Sequence, residues 1–147
     1  MSFKLIAIGN ILMKDDAIGI KVAEQIEDEL SSIGVEIIYG ETNLQHIMGN
    51  IKKEDYIIIL DAAYYGKNIG EITTVSIDKF ISNKVESSQH NYNFLDLVKL
   101  YYPNIKGVIY GIEVNKVEFG IGLDCILQKK LKLISQNILN EIKKIVN

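Results

Sequence analysis

The sequence predicts a three-layer α/β fold in which helices flank a five-stranded, mostly parallel sheet. Five short apolar or alternating segments are interleaved along the chain with segments of helical periodicity. The segment 56–60 is apolar throughout, which is typical of a strand buried on both faces of a sheet. The C-terminal segment repeats apolar residues at spacings of three and four, which is typical of an amphipathic helix packed on such a sheet.

The composition is that of a globular protein, and we expect residues 1–147 to form one domain. Hydrophobic residues make up 48% and charged residues 24%, so a core can form without a disulfide or a structural metal. The net charge is −3 and the lysines are scattered, so we expect no nucleic-acid partner. Cys125 is the only cysteine, and the N-terminal apolar run is too short for a signal peptide or membrane span. We therefore expect a cytoplasmic protein without membrane insertion.

The N-terminal region predicts a buried strand followed by an amphipathic helix. Residues 4–9 are apolar and β-prone, and they form the first predicted strand. Asp15 and Asp16 stand at the predicted helix start, where exposed N–H groups and the helix dipole favour carboxylates. Gly34 ends the helix. Its apolar residues recur at every fourth position: Ile18, Val22, Ile26 and Leu30.

The middle of the chain predicts two strands around a short helix. Residues 35–39 form the second predicted strand. Residues 44–51 predict a short helix, in which His46 lies on the polar side and has a surface role. The apolar run 56–60 is the third predicted strand, and Asp61 closes it.

The C-terminal half predicts the remaining strands and helices. Residues 71–78 alternate in polarity and predict a strand that is less buried than the others. Residues 93–102 predict a helix and residues 107–112 a strand, with the only proline, Pro103, between them. Residues 123–146 predict one long helix whose apolar positions are Leu127, Leu131, Ile134, Ile138, Ile142 and Ile145.

Two aspartates follow predicted strands at positions where ligands bind in open α/β sheets. Asp16 comes after the first strand and Asp61 after the third. Because ligands bind beyond the carboxyl ends of the strands, a carboxylate from each loop can converge at one edge of the sheet. His90 lies in a polar stretch farther along the chain. Two carboxylates and one imidazole suit a borderline divalent metal such as nickel, zinc or manganese.

Each of these residues also has a simpler interpretation. Asp16 alone is a common helix N-terminal acid, Asp61 can cap the next turn, and His90 can be a surface loop residue. The spacing in the sequence does not show that the three meet.

Other catalytic and binding motifs are absent from the sequence. The first loop has only Gly9 of the three glycines that a dinucleotide fingerprint needs, and no phosphate-binding loop is present. No serine-nucleophile elbow and no His-Glu-x-x-His zinc motif occur either. A nucleotide-binding domain is therefore disfavoured.

Four blocks of sequence, taken together, closely resemble the hydrogenase maturation protease family. The first block is residues 9–19, which read GNILMKDDAIG, and the second is Leu60-Asp61-Ala62 after the apolar run. The third is Ser88-Gln89-His90 ahead of a predicted helix. The fourth joins residues 111–113 (GIE) to residues 120–123 (GIGL). The blocks are spread over nearly the whole chain, in the family's order and spacing.

The resemblance implies a fold, a reaction and a site. The fold is a twisted five-stranded sheet flanked by helices. The reaction removes a C-terminal peptide from the large-subunit precursor of a nickel-iron hydrogenase, after nickel has been inserted. The site is a set of catalytic and metal-binding residues at the positions of Asp16, Asp61 and His90. The nickel is carried by the substrate, and zinc or cadmium can substitute for it.

The chain departs from the family pattern at Glu41, in a loop expected close to the cleft, and at Asp124 before the final helix. Glu41 stands in a Gly40-Glu41-Thr42 segment where many members have a Gly-Gly-Thr-like turn, so substrate fit in that loop is affected. Asp124 replaces a common serine before the final helix, and we interpret it as an exchange of one N-cap residue for another.

Two questions stay open at the level of sequence. Peptide hydrolysis can be metal-assisted, or Asp16 or Asp61 can serve as a general base while the metal anchors the substrate. The same fold can also serve a non-catalytic maturation chaperone that binds nickel or the precursor without cutting it.

Overall fold

The computed structural model describes residues 2–10, 14–41, 43–79, 93–115 and 120–147. Its strands are β1 (Phe3–Ile8), β2 (Val35–Glu41), β3 (Tyr56–Ala63), β4 (Ile72–Ser76) and β5 (Lys106–Glu113). Its helices are α1 (Ile18–Ser32), α2 (Leu44–Gly49), α3 (Asn93–Tyr101) and α4 (Cys125–Val146). Two 3-10 turns, Lys14–Ala17 and Ile77–Lys79, precede α1 and follow β4.

The five strands form one sheet in the order β2-β1-β3-β5-β4. Four of them are parallel, and β4 pairs antiparallel with β5 at one edge. This arrangement confirms the predicted five-stranded, mostly parallel α/β sheet. The four parallel strands bring their carboxyl ends to the same edge, where Asp61 of β3 pairs in register with Gly111 of β5.

Two apolar clusters, one on each face of the sheet, make the fold three-layered. Successive residues of a strand point to opposite faces. Ile58 and Leu60 accordingly join the cluster beneath α1 and α4, whereas Ile57 and Ile59 join the cluster beneath α2 and α3. All four side chains are fully buried. Each contributes about 1.5–3 kcal/mol through burial, which explains why the apolar run forms the central strand.

The structure corrects the predicted end of the third strand. β3 continues through Ala63, so Asp61 lies inside the strand and does not follow it. The reason is long-range pairing, because Ala62 and Ala63 continue the ladder with Ile112 and Glu113 of β5. The predicted strand 71–78 is also shorter, since it turns into a 3-10 helix after Ser76.

A buried ion pair ties the strands together at the opposite, amino end of the sheet. The Lys4 ammonium lies 3.0 Å from Asp55 Oδ2 and 3.3 Å from Glu36 Oε2. It also donates a hydrogen bond to the backbone carbonyl of Asn50. Burial opposes the charge on this amine, but the hydrogen bonds and charges of Asp55 and Glu36 outweigh it and raise the pKa of Lys4.

No helix within the described residues is long and apolar enough to cross a membrane. The longest, α4, has buried residues along one side only.

Candidate functional site

Asp16 and Asp61 lie at the carboxyl edge of the sheet, and both are buried. Asp61 is fully buried and Asp16 is 5% exposed. Asp16 belongs to the 3-10 turn before α1, and Asp61 is the sixth residue of β3. The structure therefore places the two predicted carboxylates at the same edge of the sheet, as the position of their strands predicted.

Gly19 brings the start of α1 against this edge. A Cβ atom at this position would lie 2.6 Å from the carbonyl oxygen of Leu60 and 2.9 Å from that of Ile8. No side chain fits at these distances, so the backbone of α1 packs directly on β1 at Ile8 and on β3 at Leu60. The contact sets how far the turn that carries Asp16 stands from the strand that carries Asp61.

The loop after β1 wraps around Asp16. The backbone N–H of Asn10 donates a hydrogen bond of 3.0 Å to Asp16 Oδ2. Gly9 adopts φ +153°, and a Cβ atom there would overlap the carbonyl oxygen of Asp16. A glycine is therefore required for the loop to close on the turn.

Asp61 is oriented by its own strand. Its Oδ1 accepts a hydrogen bond of 2.7 Å from the backbone N–H of Ala62. A bond to the next residue along the chain fixes the side-chain torsion of the carboxylate before any ligand arrives.

Asp15 is a residue of this region whose role the sequence did not reveal. Its carboxylate accepts hydrogen bonds from the backbone N–H groups of Asp124, at 2.7 Å, and Asn115, at 3.3 Å. The neighbouring Lys14 N–H donates to the carbonyl of Gly120 at 3.1 Å. Asp15 therefore ties the turn of Asp16 to the segments that follow β5 and precede α4. Its position at a helix start predicted only a dipole interaction, since the partners lie 109 and 100 residues away.

Glu113, the last residue of β5, has a similar role on the other side of the site. It is 3% exposed, and its two carboxylate oxygens accept hydrogen bonds from Tyr65 N–H at 3.1 Å. One of these oxygens also accepts a hydrogen bond from Gly66 N–H at 3.2 Å. The carboxylate thus holds the connection between β3 and β4, which crosses the carboxyl end of β5. The sequence predicted Glu113 only as part of a family block.

Tyr64 lies within electrostatic range of four acidic residues. Burial is the largest cause of its raised pKa, and the carboxylates of Asp16, Asp61, Asp15 and Glu113 raise it further. All four acids therefore lie near one phenol group, which stays protonated at neutral pH. Asp16 and Asp61 accordingly share surroundings as well as an edge of the sheet.

The third predicted ligand, His90, lies outside the described residues, as do its neighbours Ser88 and Gln89. Within the described ranges, no three His, Cys, Asp or Glu side chains are arranged to hold a metal ion. Asp16 and Asp61 are thus the two described members of the predicted set of three. The side chain of Glu41, at the end of β2, is also outside the described part.

Two further predictions concern single residues of the helices. His46 is exposed on α2, as predicted. Asp124 is the N-cap of α4, and its side chain accepts a hydrogen bond from Ile126 N–H, which confirms its predicted local role. Cys125 is exposed at the first position of α4.

Comparisons with known proteins identify the family to which the chain is similar. The family model described as "Hydrogenase maturation protease" matches residues 20–141. The hydrogenase 2 maturation protease of Escherichia coli is 25% identical over 153 aligned positions, covering 97% of this chain and 92% of that protein.

Solved structures of the family have the same fold. The [NiFe] hydrogenase maturation protease HybD from Thermococcus kodakarensis superposes with a TM-score of 0.79 at 22% identity, and each chain is covered completely. The hydrogenase maturating endopeptidase HybD from Escherichia coli gives a TM-score of 0.74 at 22% identity, covering 98% of this chain and 93% of that one. With the family match extending over most of the sequence, this chain belongs to the hydrogenase maturation protease family and is a peptidase.

Proposed function

We propose that this chain is the endopeptidase that removes the C-terminal peptide of a nickel-iron hydrogenase large-subunit precursor after nickel insertion. The observation that carries the proposal is the pair of buried carboxylates, Asp16 and Asp61, at one edge of a sheet with the family's fold. We place the reaction in the cytoplasm, where a reduced thiol such as Cys125 is stable.

The donor chemistry of the region fits a divalent cation such as nickel. Carboxylates and an imidazole are suitable ligands for nickel, zinc or cadmium, and we assign Asp16, Asp61 and His90 to this task. Asp15 and Glu113 add two more acidic groups to the same buried region. A cation that arrives with the substrate would offset this concentration of negative charge.

The nickel belongs to the precursor, so it acts as a recognition element of the substrate. Two oriented carboxylates and one histidine leave coordination positions for ligands from the precursor. A precursor without nickel loses this part of the binding free energy, whereas a loaded precursor gains it. Selective cutting of the loaded form follows from this difference in affinity.

Two routes to hydrolysis use the same residues. In the first, the cation polarises the scissile carbonyl or activates water. In the second, Asp16 or Asp61 removes a proton from the attacking water and the cation only anchors the substrate. We favour the metal-assisted route. Replacement of nickel by zinc or cadmium in the precursor would then change kcat, whereas a pure anchor would change KM.

The test is cleavage of nickel-loaded precursor by Asp16→Asn, Asp61→Asn and His90→Ala, followed by mass spectrometry of the released peptide. Loss of one ligand should lower processing at least about 10- to 100-fold. Asp28→Asn and His46→Ala are matched controls, because both side chains are exposed outside the site, and they should process normally. Near-normal processing by all three site variants would show that the assignment is wrong. Binding of precursor without any change in its mass would instead identify a chaperone.

A further inference from the structure

Ile121 is the most exposed large apolar residue in the part of the chain that the structure describes. Its side chain is 85% exposed, and it lies in the segment 120–124 that leads into α4. Single exposed apolar side chains are common on protein surfaces, so its position is more informative than its exposure. That position is set by contacts with the turn that carries Asp16.

Two hydrogen bonds attach this segment to the 3-10 turn before α1. The Lys14 N–H donates to the carbonyl oxygen of Gly120 at 3.1 Å. The Asp124 N–H donates to Asp15 Oδ1 at 2.7 Å. Ile121 lies between these two attachment points, so it cannot move away from the turn unless one of them breaks.

The attachment keeps Ile121 close to the candidate site. Ile121 is the residue after Gly120, and Asp16 is two residues after Lys14 on the other side of the hydrogen bond. With standard backbone dimensions, the Cα atoms of Ile121 and Asp16 lie within about 18 Å of each other, which about five residues of extended peptide span. A peptide bound at the carboxylates therefore reaches Ile121 within a short stretch of its own chain.

The backbone on both sides of Ile121 is restricted. Gly120 has φ +151° and Gly122 has φ +93°, which are conformations that other residues rarely adopt. The Lys14 side chain lies over Gly120, where a Cβ atom would be 2.7 Å from it, and Lys14 itself has φ +44°. Strained conformations of this kind are found most often at functional sites. An isoleucine on such a fixed backbone loses little conformational freedom when a partner covers it.

We propose that Ile121 is a substrate-contacting residue, which buries its side chain against an apolar part of the precursor polypeptide, about five residues or fewer from the point where the precursor meets Asp16. The chain is a peptidase, so a polypeptide has to approach this edge of the sheet. Asp16 and Asp61 offer charge to that polypeptide, and Ile121 adds an apolar contact beside them. The inference rests on the proposed function, which brings the precursor to this edge.

The test compares Ile121→Ser with the wild-type protein in three measurements: urea unfolding, peptide release from nickel-loaded precursor, and calorimetric binding of nickel-free precursor. The urea midpoint should stay the same, because the side chain is exposed. KM should rise about tenfold with kcat unchanged, because the contact is the same in the ground state and the transition state. The Kd for nickel-free precursor should rise by a similar factor, because Ile121 contacts the polypeptide and not the cation.

Leu100→Ser is the matched control. Leu100 is 74% exposed, and it lies near the end of α3, which leads into β5 at the amino end of the sheet. This variant removes a similar apolar surface far from the carboxyl edge, so KM and Kd should not change. Ile121→Leu keeps an apolar side chain at the contact and should stay within about twofold of the wild type in both constants.

Three results would overturn the role of Ile121. These are a KM and Kd of Ile121→Ser within about twofold of the wild type, an equal rise in Leu100→Ser, and a lower kcat with unchanged KM. The proposed function is decided separately, by loss of peptide release in Asp61→Asn. Wild-type protein that binds the precursor but releases no peptide would overturn the proposed reaction alone, since the Kd comparison still decides the role of Ile121. Wild-type protein that binds neither form of the precursor would overturn both.

Discussion

At the scale of single residues, the spacing of the site depends on a glycine. Gly19 allows the first turn of α1 to lie directly on the backbone of Leu60 and Ile8, and no other residue type leaves that space. Asp16 is three residues before this contact and Asp61 is one residue after Leu60. A side chain at Gly19 therefore acts on the distance between the two carboxylates without touching either.

We predict that Gly19→Ala lowers the unfolding free energy by about 1–3 kcal/mol, because the added methyl group overpacks a backbone contact. Processing of loaded precursor should fall more than stability alone explains, since α1 must move away from the strand ends. Urea unfolding and the peptide-release assay measure the two effects. Gly49→Ala is the control: nothing lies within 4 Å of a Cβ at that position, so stability should stay within about 0.5 kcal/mol. Equal behaviour of the two variants would contradict the argument.

At the scale of elements, the Asp15 carboxylate connects the turn before α1 with the chain on both sides of residues 116–119. Its bonds to Asp124 and Asn115 bring the start of α4 and the segment after β5 to the site. We predict that Asp15→Asn lowers the unfolding free energy by about 2 kcal/mol, because one buried N–H group loses its acceptor. Urea unfolding measures this, with Asp28→Asn as the exposed control. Hydrogen exchange at the amides of Asp124 and Asn115 should accelerate in the variant, and unchanged exchange would contradict the assignment.

The sequence predicted the elements well because their signals are local. The apolar run of β3 and the four-residue spacing in α1 are visible within one segment. The extension of β3 through Ala63 was missed, since it depends on pairing with Glu113, which is 50 residues farther along the chain.

The candidate site could likewise be predicted only in part, because some of its contacts join residues that are distant in sequence. Asp16 and Asp61 could be placed at one edge of the sheet because parallel strands share a direction. The hydrogen bonds that Asp15 and Glu113 accept from backbone N–H groups could not be predicted, because nothing close to these acids in sequence marks their partners. The position of Tyr64 was missed for the same reason, since three of the four acids that surround it lie about 50 residues away.

At the scale of the whole molecule, the two ends of the sheet hold different charged groups, one set at the candidate site and one in a stabilising ion pair. The carboxyl end gathers acids around the candidate site, whereas the amino end holds the buried pair of Lys4 and Asp55. Because the two groups are separated by the length of the strands, stability and activity can be altered independently.

We predict that Lys4→Met lowers the unfolding free energy by about 3 kcal/mol at pH 8, because Asp55 is left as an uncompensated buried charge. Processing at a temperature well below unfolding should remain normal. The raised pKa of Lys4 means that folding favours its charged form. This part of the stability is therefore complete below the ordinary value of 10.5 and is lost as the pH rises through the higher folded value.

Unfolding of wild type and Lys4→Met between pH 8 and pH 12 measures this dependence. The difference between the two proteins should shrink at the alkaline end, because the Lys4 amine of the wild type loses its charge there. The tyrosines titrate equally in both proteins, so their effect cancels in the difference. A constant difference would show that packing of the lysine stem, and not its charge, provides the stability.

The reversed direction of β4 has a consequence for how this fold diversifies. A parallel fourth strand would oblige the chain to return to the amino end of the sheet through a crossover, whereas an antiparallel one is entered from the carboxyl end. Residues 64–71 can therefore lengthen or shorten without rethreading any strand. Insertions in this stretch can change the surface beside the acidic residues while the pairing registers of the five strands stay the same.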